Sequence, residues 1–119
     1  MPDSTVTDPP FDVRTSRVGG ALIVTIVGEI DMANAPEVKS AIEASRDGAE
    51  RVVVDLSAVT FLDSSALNAL LHSQRDLAEH EIAFSVVGPA DQAVRKVFEI
   101  THLTEPLSVV DSLDDALAR

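Results

Sequence analysis

Cysteine is absent from this chain of 119 residues. That absence removes disulfides, thiolate metal sites and a cysteine nucleophile together, and leaves an apolar core as the source of stability. Long hydrophobic runs are missing too: the longest, Ala21 to Val27, is interrupted by Thr25 and falls far short of the roughly 20 residues a helix needs to cross a bilayer. Basic residues are few, with 9 Lys and Arg against 20 Asp and Glu and a formal charge of −11. Such a balance opposes the phosphate contacts on which nucleic-acid binding mainly depends and disfavours anionic membranes. No direct nucleic-acid or membrane partner is expected. The opening stretch, Met1 to Pro10, carries Asp3, Asp8 and prolines but neither a basic start nor an apolar segment. It reads as a disordered tail rather than a signal peptide, and the protein as soluble and cytoplasmic.

Catalytic signatures are equally scarce. No serine sits in a G-x-S-x-G elbow, and the glycines are scattered as turn and strand-end residues rather than as a phosphate-cradling loop. The 3 histidines, His72, His80 and His102, occupy positions with no reason to converge on a serine or on a metal ion. Neither an enzyme nor a cofactor-binding protein is expected.

What is present is a chain with 45% hydrophobic residues, in the size range of one compact domain burying about two thirds of its unfolded surface. Phe11 to Val18, the pair Gly19-Gly20 and the β-rich run Leu22 to Val27 form a hairpin signal. A polar loop, Glu29 to Asn34, precedes a helix opened by Pro36, with Val38, Ala41, Ile42 and Ser45 on one face and Gly48 closing it. Arg51 to Leu56 holds three consecutive valines, the pattern of a central strand covered on both faces. A loop, Ser57 to Asp63, then leads to a helix carrying Leu67, Leu70, Leu71, Leu77 and Ala78 at helical spacing. Ile82 to Val87 reads as a strand, Val94, Val97 and Phe98 mark a third helix, and Leu107 to Val110 form a weaker strand. A closing helix begins near Ser112. Together these elements predict an α/β domain over residues 11–119: a mixed sheet, parallel in its later part, with helices packed mainly on one face.

The segment Phe61 to Leu71 carries the functional signal. Asp63, Ser64 and Ser65 stand at a helix start, where such residues are wanted simply to accept bonds from free backbone amides. On a wheel of 100° per residue the leucines mark one buried direction. Ser65 points away from it and is expected to be the accessible hydroxyl, whereas Ser64 lies on the flank, better placed for a local cap. Asn68, Ala69, His72 and Asp76 share the Ser65 side, forming either a docking surface or an ordinary solvated stripe. A phosphate on Ser65 would lie near free amides and the positive end of the helix dipole. It would also add roughly −1.5 to −2 charges beside Asp63, enough to disrupt an interface fitted to a neutral hydroxyl.

Two segments carry a resemblance to a known family: Gly28-Glu29-Ile30-Asp31 with Ala35-Pro36-Glu37, and Val53-Val54-Asp55-Leu56 through Phe61-Leu62-Asp63-Ser64-Ser65-Ala66-Leu67. The chain resembles anti-sigma-factor antagonists built on the STAS domain, over nearly everything after the tail. The resemblance implies a STAS-like fold and phosphorylation of Ser65, the second serine of the motif, by an anti-sigma factor that is also an ATP-dependent serine kinase. It implies further that the unphosphorylated form binds that partner and frees the sigma factor, and that a phosphoserine phosphatase restores this form. The family's acidic residue in the early loop falls on Asp31. Asp31 and Asp63, each following a strand, are expected to flank Ser65, and the partner surface to comprise Asp31, Asp63, Ser64, Asn68, Ala69 and His72. One departure stands out, Ala66 where the family commonly has glycine: its methyl favours helix but is expected to hinder close partner approach and slow phosphorylation. The competing reading is a STAS module acting as an unphosphorylated scaffold, or as a subunit of a transport or signalling assembly.

Overall fold

The computed structural model describes residues 11–118, so the tail expected over residues 1–10 lies outside the described residues. Strands β1 (Phe11–Val18) and β2 (Ala21–Ile30) pair antiparallel around Gly19, whose φ of +58° is open to glycine at little cost. Strands β3 (Arg51–Leu62), β4 (Ala83–Val87) and β5 (Val109–Val110) add in parallel, giving a five-stranded sheet in the order β1-β2-β3-β4-β5. Helices follow the strands: α1 (Ala35–Ser45), α2 (Ser64–Glu79), α3 (Gln92–Ile100) and α4 (Leu113–Leu117).

The three consecutive valines show why β3 is central. Val52 and Val54 join the larger core cluster, which also holds Val38 and Ile42 of α1, Leu67, Leu70 and Leu77 of α2 and Phe98 of α3. Val53 points to the other side, where it packs with Ile23, Val87 and Ala116 of α4. A strand covered on both faces alternates between two cores rather than between core and water. Since α1, α2 and α3 feed one cluster and α4 alone feeds the other, the helices lie mainly on one face, as expected.

Two strands run further than their patterning suggested. The stretch expected as a loop from Ser57 continues as β3 to Leu62, and β2 reaches Ile30 instead of stopping at Gly28. Each extension pairs with the other, through Val27↔Ala58, Gly28↔Val59, Glu29↔Phe61 and Ile30↔Leu62. Register shifts between Thr25 and Val27 and between Gly28 and Glu29 break the simple alternation. Bulges of this kind hide a strand from period-two reasoning. Gly28 is therefore not a terminator: its φ of +98° lets β2 turn through the irregularity.

Local capping sets the helix starts. Pro36 stands in the first turn of α1, where its missing N–H is no loss. Asp63 Oδ1 accepts from the backbone N–H groups of Ser65 (2.9 Å) and Ala66 (3.2 Å) to begin α2, and Asp91 and Ser112 cap α3 and α4 in the same manner. Arg46, just past α1, forms an ion pair with Asp76 of α2, and His80 Nδ1 lies 2.8 Å from the Asp76 carbonyl oxygen. The two helices are thus tied at the end remote from Ser65.

Two stability predictions follow from this packing. Leu70→Ala, at a position 1% exposed, is expected to cost about 2 to 5 kcal/mol, read as a lower urea midpoint at unchanged slope. Asp63→Ala removes the acceptor of two amides and should cost about 0.5 to 2 kcal/mol, while Asp63→Asn, itself a good cap, should retain most of that. An unchanged melt for Leu70→Ala would contradict the orientation of α2.

Candidate functional site

The parallel pairing of β2 with β3 ends at Ile30↔Leu62, so Asp31 and Asp63 leave the sheet side by side at the same end. The Asp63 N–H donates to the Ile30 carbonyl at 3.3 Å, tying one loop to the other. Asp31 closes its own turn: Oδ1 accepts from the N–H of Ala33 (2.9 Å) and of Asn34 (3.3 Å). Asn34 returns the bond, its Oδ1 accepting from the Asp31 N–H and its Nδ2 donating to the Glu29 carbonyl. The two carboxylates therefore do different work. Asp31 shapes the loop entering α1, and Asp63 holds the backbone of Ser65.

Next to these turns a groove of about 490 Å³ opens between the two helix starts. Met32, Ala35, Pro36 and Lys39 form one wall, and Ser65, Asn68, Ala69 and His72 form the other. The second wall gathers the stripe that the helical wheel grouped on the Ser65 side, except that Asp76 turns to Arg46. Asp31, Asp63 and Ser64 do not line the groove.

Sequence reasoning misjudged the two hydroxyls. Ser64 is exposed and Ser65 is half-buried, the reverse of the expected order, and the cap is Asp63 rather than Ser64. The buried side chains of α2 are Ala66, Leu67, Leu70, Ser73 and Leu77, whereas Ala78 is exposed and Leu71 half-buried. At 100° per residue this places the buried sector about 60° from the direction that the leucines and Ala78 alone suggest. The cause is α1, which packs alongside α2 and shields the side that carries Ser65 and Ala69. Ala66, at 1% exposure, lies in the core. Its methyl is packed inside the protein and does not line the groove.

Three of the amides expected to be free beneath Ser65 are also taken. Ser65 and Ala66 donate to the Asp63 carboxylate, and Leu67 to the Asp63 carbonyl. The α1 wall went unnoticed in the sequence. Its signal was present in the βα order, which starts α1 and α2 at the same sheet end, but their packing is tertiary information. Met32, 75% exposed, and Phe61, 48% exposed, add apolar surface close to these loops.

The family model for the STAS domain matches residues 12–116. An anti-sigma-B factor antagonist of Listeria monocytogenes is 30% identical over 87 residues, covering 72% of this chain and 75% of that protein. The crystal structure of an anti-sigma factor antagonist from Mycobacterium paratuberculosis superposes with a TM-score of 0.83 at 34% identity, over 95% of this chain and 97% of that one. SpoIIAA, an anti-sigma factor antagonist solved in its unphosphorylated form, shares the fold at a TM-score of 0.73 and 20% identity, over 87% of this chain and 90% of that one. Its phosphorylated form, from Bacillus, gives 0.69 at 20% identity, over 91% and 98%. With the five-stranded mixed sheet, the helices gathered mainly on one face and the family model spanning nearly every described residue, the chain belongs to the STAS domain family.

Proposed function

We propose that this protein is an anti-sigma-factor antagonist that acts by partner switching in the cytoplasm. Its unphosphorylated form binds an anti-sigma factor that is also an ATP-dependent serine kinase, and the bound sigma factor is released. The kinase phosphorylates Ser65, the complex separates, and a phosphoserine phosphatase returns the chain to its binding form. The protein is here the substrate of a kinase and not a catalyst.

The observation that carries this reading is the place of Ser65 in the wall of the groove between α1 and α2. A neutral hydroxyl there leaves the apolar surface of Met32, Ala35, Pro36 and Ala69 open to a partner. A phosphate adds roughly −1.5 to −2 charges in the same space, and desolvating that charge inside a contact is costly. Because Ser65 is half-buried, a group on it lies within the groove and affects docking more than one projecting into solvent. Support also comes from the Listeria relative and the mycobacterial structure, both named as antagonists of anti-sigma factors. A protein of the same fold is known in unphosphorylated and phosphorylated forms. Among the described residues no helix is long and apolar enough to cross a membrane.

The test compares Ser65→Ala with Ser65→Glu against one anti-sigma factor by calorimetry. Ser65→Ala should bind like the parent and Ser65→Glu at least about tenfold more weakly, a loss on the order of 1.4 kcal/mol. Ser64→Glu, outside the groove, should bind within a few-fold of the parent. Equal affinity for Ser65→Ala and Ser65→Glu would support an unphosphorylated scaffold instead.

A further inference from the structure

A phosphate on Ser65 finds most of the amides at the helix end beneath it already engaged. The amides of Ser65 and Ala66 are bonded to the Asp63 carboxylate and that of Leu67 to the Asp63 carbonyl, so three of the amides nearest a phosphate are already engaged. Asp63 brings like charge as well, and a new dianion beside it needs compensation from elsewhere.

The groove supplies a cation. Lys39 projects from α1 into the same space as Ser65 of α2. No carboxylate lines this groove among the described residues, in a chain where acids outnumber bases 20 to 9. Among the described residues no ion pair engages Lys39, although Arg14, Arg46 and Arg95 each have an acidic partner. Lys39 is half-buried, with its stem along the groove wall and an ammonium carried on a flexible four-carbon chain. Asn68, one turn from Ser65 on the same helix, offers an amide donor at the spacing where side chains meet.

We propose that Lys39 is the built-in counter-ion of phosphorylated Ser65, its ammonium closing across the groove onto the phosphate. The phosphorylated protein then differs from the free one in shape as well as charge, because a phosphate–Lys39 pair bridges α1 and α2 where the groove stood open. The inference rests on Ser65 being the phosphoacceptor, and it deepens that reading by naming what holds the off state. His72, the other ionisable side chain in the groove, is the competing partner for the phosphate.

The test installs phosphoserine at position 65 of the full chain during synthesis, by an expanded genetic code, so that no kinase is required. The phosphate is then titrated by phosphorus NMR in the parent and in the Lys39→Gln, Lys39→Arg and His72→Gln variants. Removing the ammonium should raise the second pKa of the phosphate, ordinarily about 6, by about half a unit, the scale of a partly exposed ion pair. Lys39→Arg should restore the parent value, and His72→Gln should leave it in place. Coincident titrations of the parent and Lys39→Gln would overturn the proposal, as would a shift seen only in His72→Gln. Failure of any kinase to modify Ser65 would instead count against the switch and leave this result standing on its own.

Discussion

The parallel register between β2 and β3 is the constraint on which the site depends. Because the two strands stay paired as far as Ile30↔Leu62, their following loops emerge together and the helices they launch begin next to each other. A right-handed crossover returns each helix to the same face of the sheet, and α1 and α2 become neighbours over the larger core. The groove is the space left between two helix starts that the sheet has placed in parallel. Shortening either strand extension would move a loop and take one wall away.

Much of this was legible in the residues. The hairpin, the central valine strand and the helix after Asp63 rest on strong local patterns, and the structure contains all of them. What patterning missed was tertiary in origin. The β3 extension is masked by bulges that break alternation, and Phe61 looks like loop apolarity because it is exposed. Ser64 and Ser65 exchange rank because the leucines and Ala78 do not mark the whole buried face of α2. Ala66 and Ser73 are small because they face close packing, and both are buried, yet a wheel weighted by leucine ignores them. Lys39 and Met32 carried no signal of their own, since their role exists only once α1 lies against α2.

Charge gives the site its character. The protein is strongly acidic, but the groove presents Lys39 and His72 amid small and apolar side chains. Asp31 and Asp63, the carboxylates of the loops that enter α1 and α2, are turned to backbone amides. That arrangement fixes the loops firmly while keeping carboxylates out of the groove wall. Under the proposed switch, a partner can ignore the hydroxyl set in this surface but not a dianion in its place, so two binding states would need no rearrangement of the core. The family supplies the frame, and the arrangement of a few side chains decides what is recognised.

The most direct measurement is intact-protein mass spectrometry with site mapping after the chain is incubated with ATP and candidate anti-sigma kinases from its own organism. The partner-switching function predicts a single added phosphate on Ser65, with none on Ser64 and none in Ser65→Ala. A kinase that binds the chain demonstrably and yet leaves Ser65 unmodified, or that modifies Ser64 instead, would contradict it.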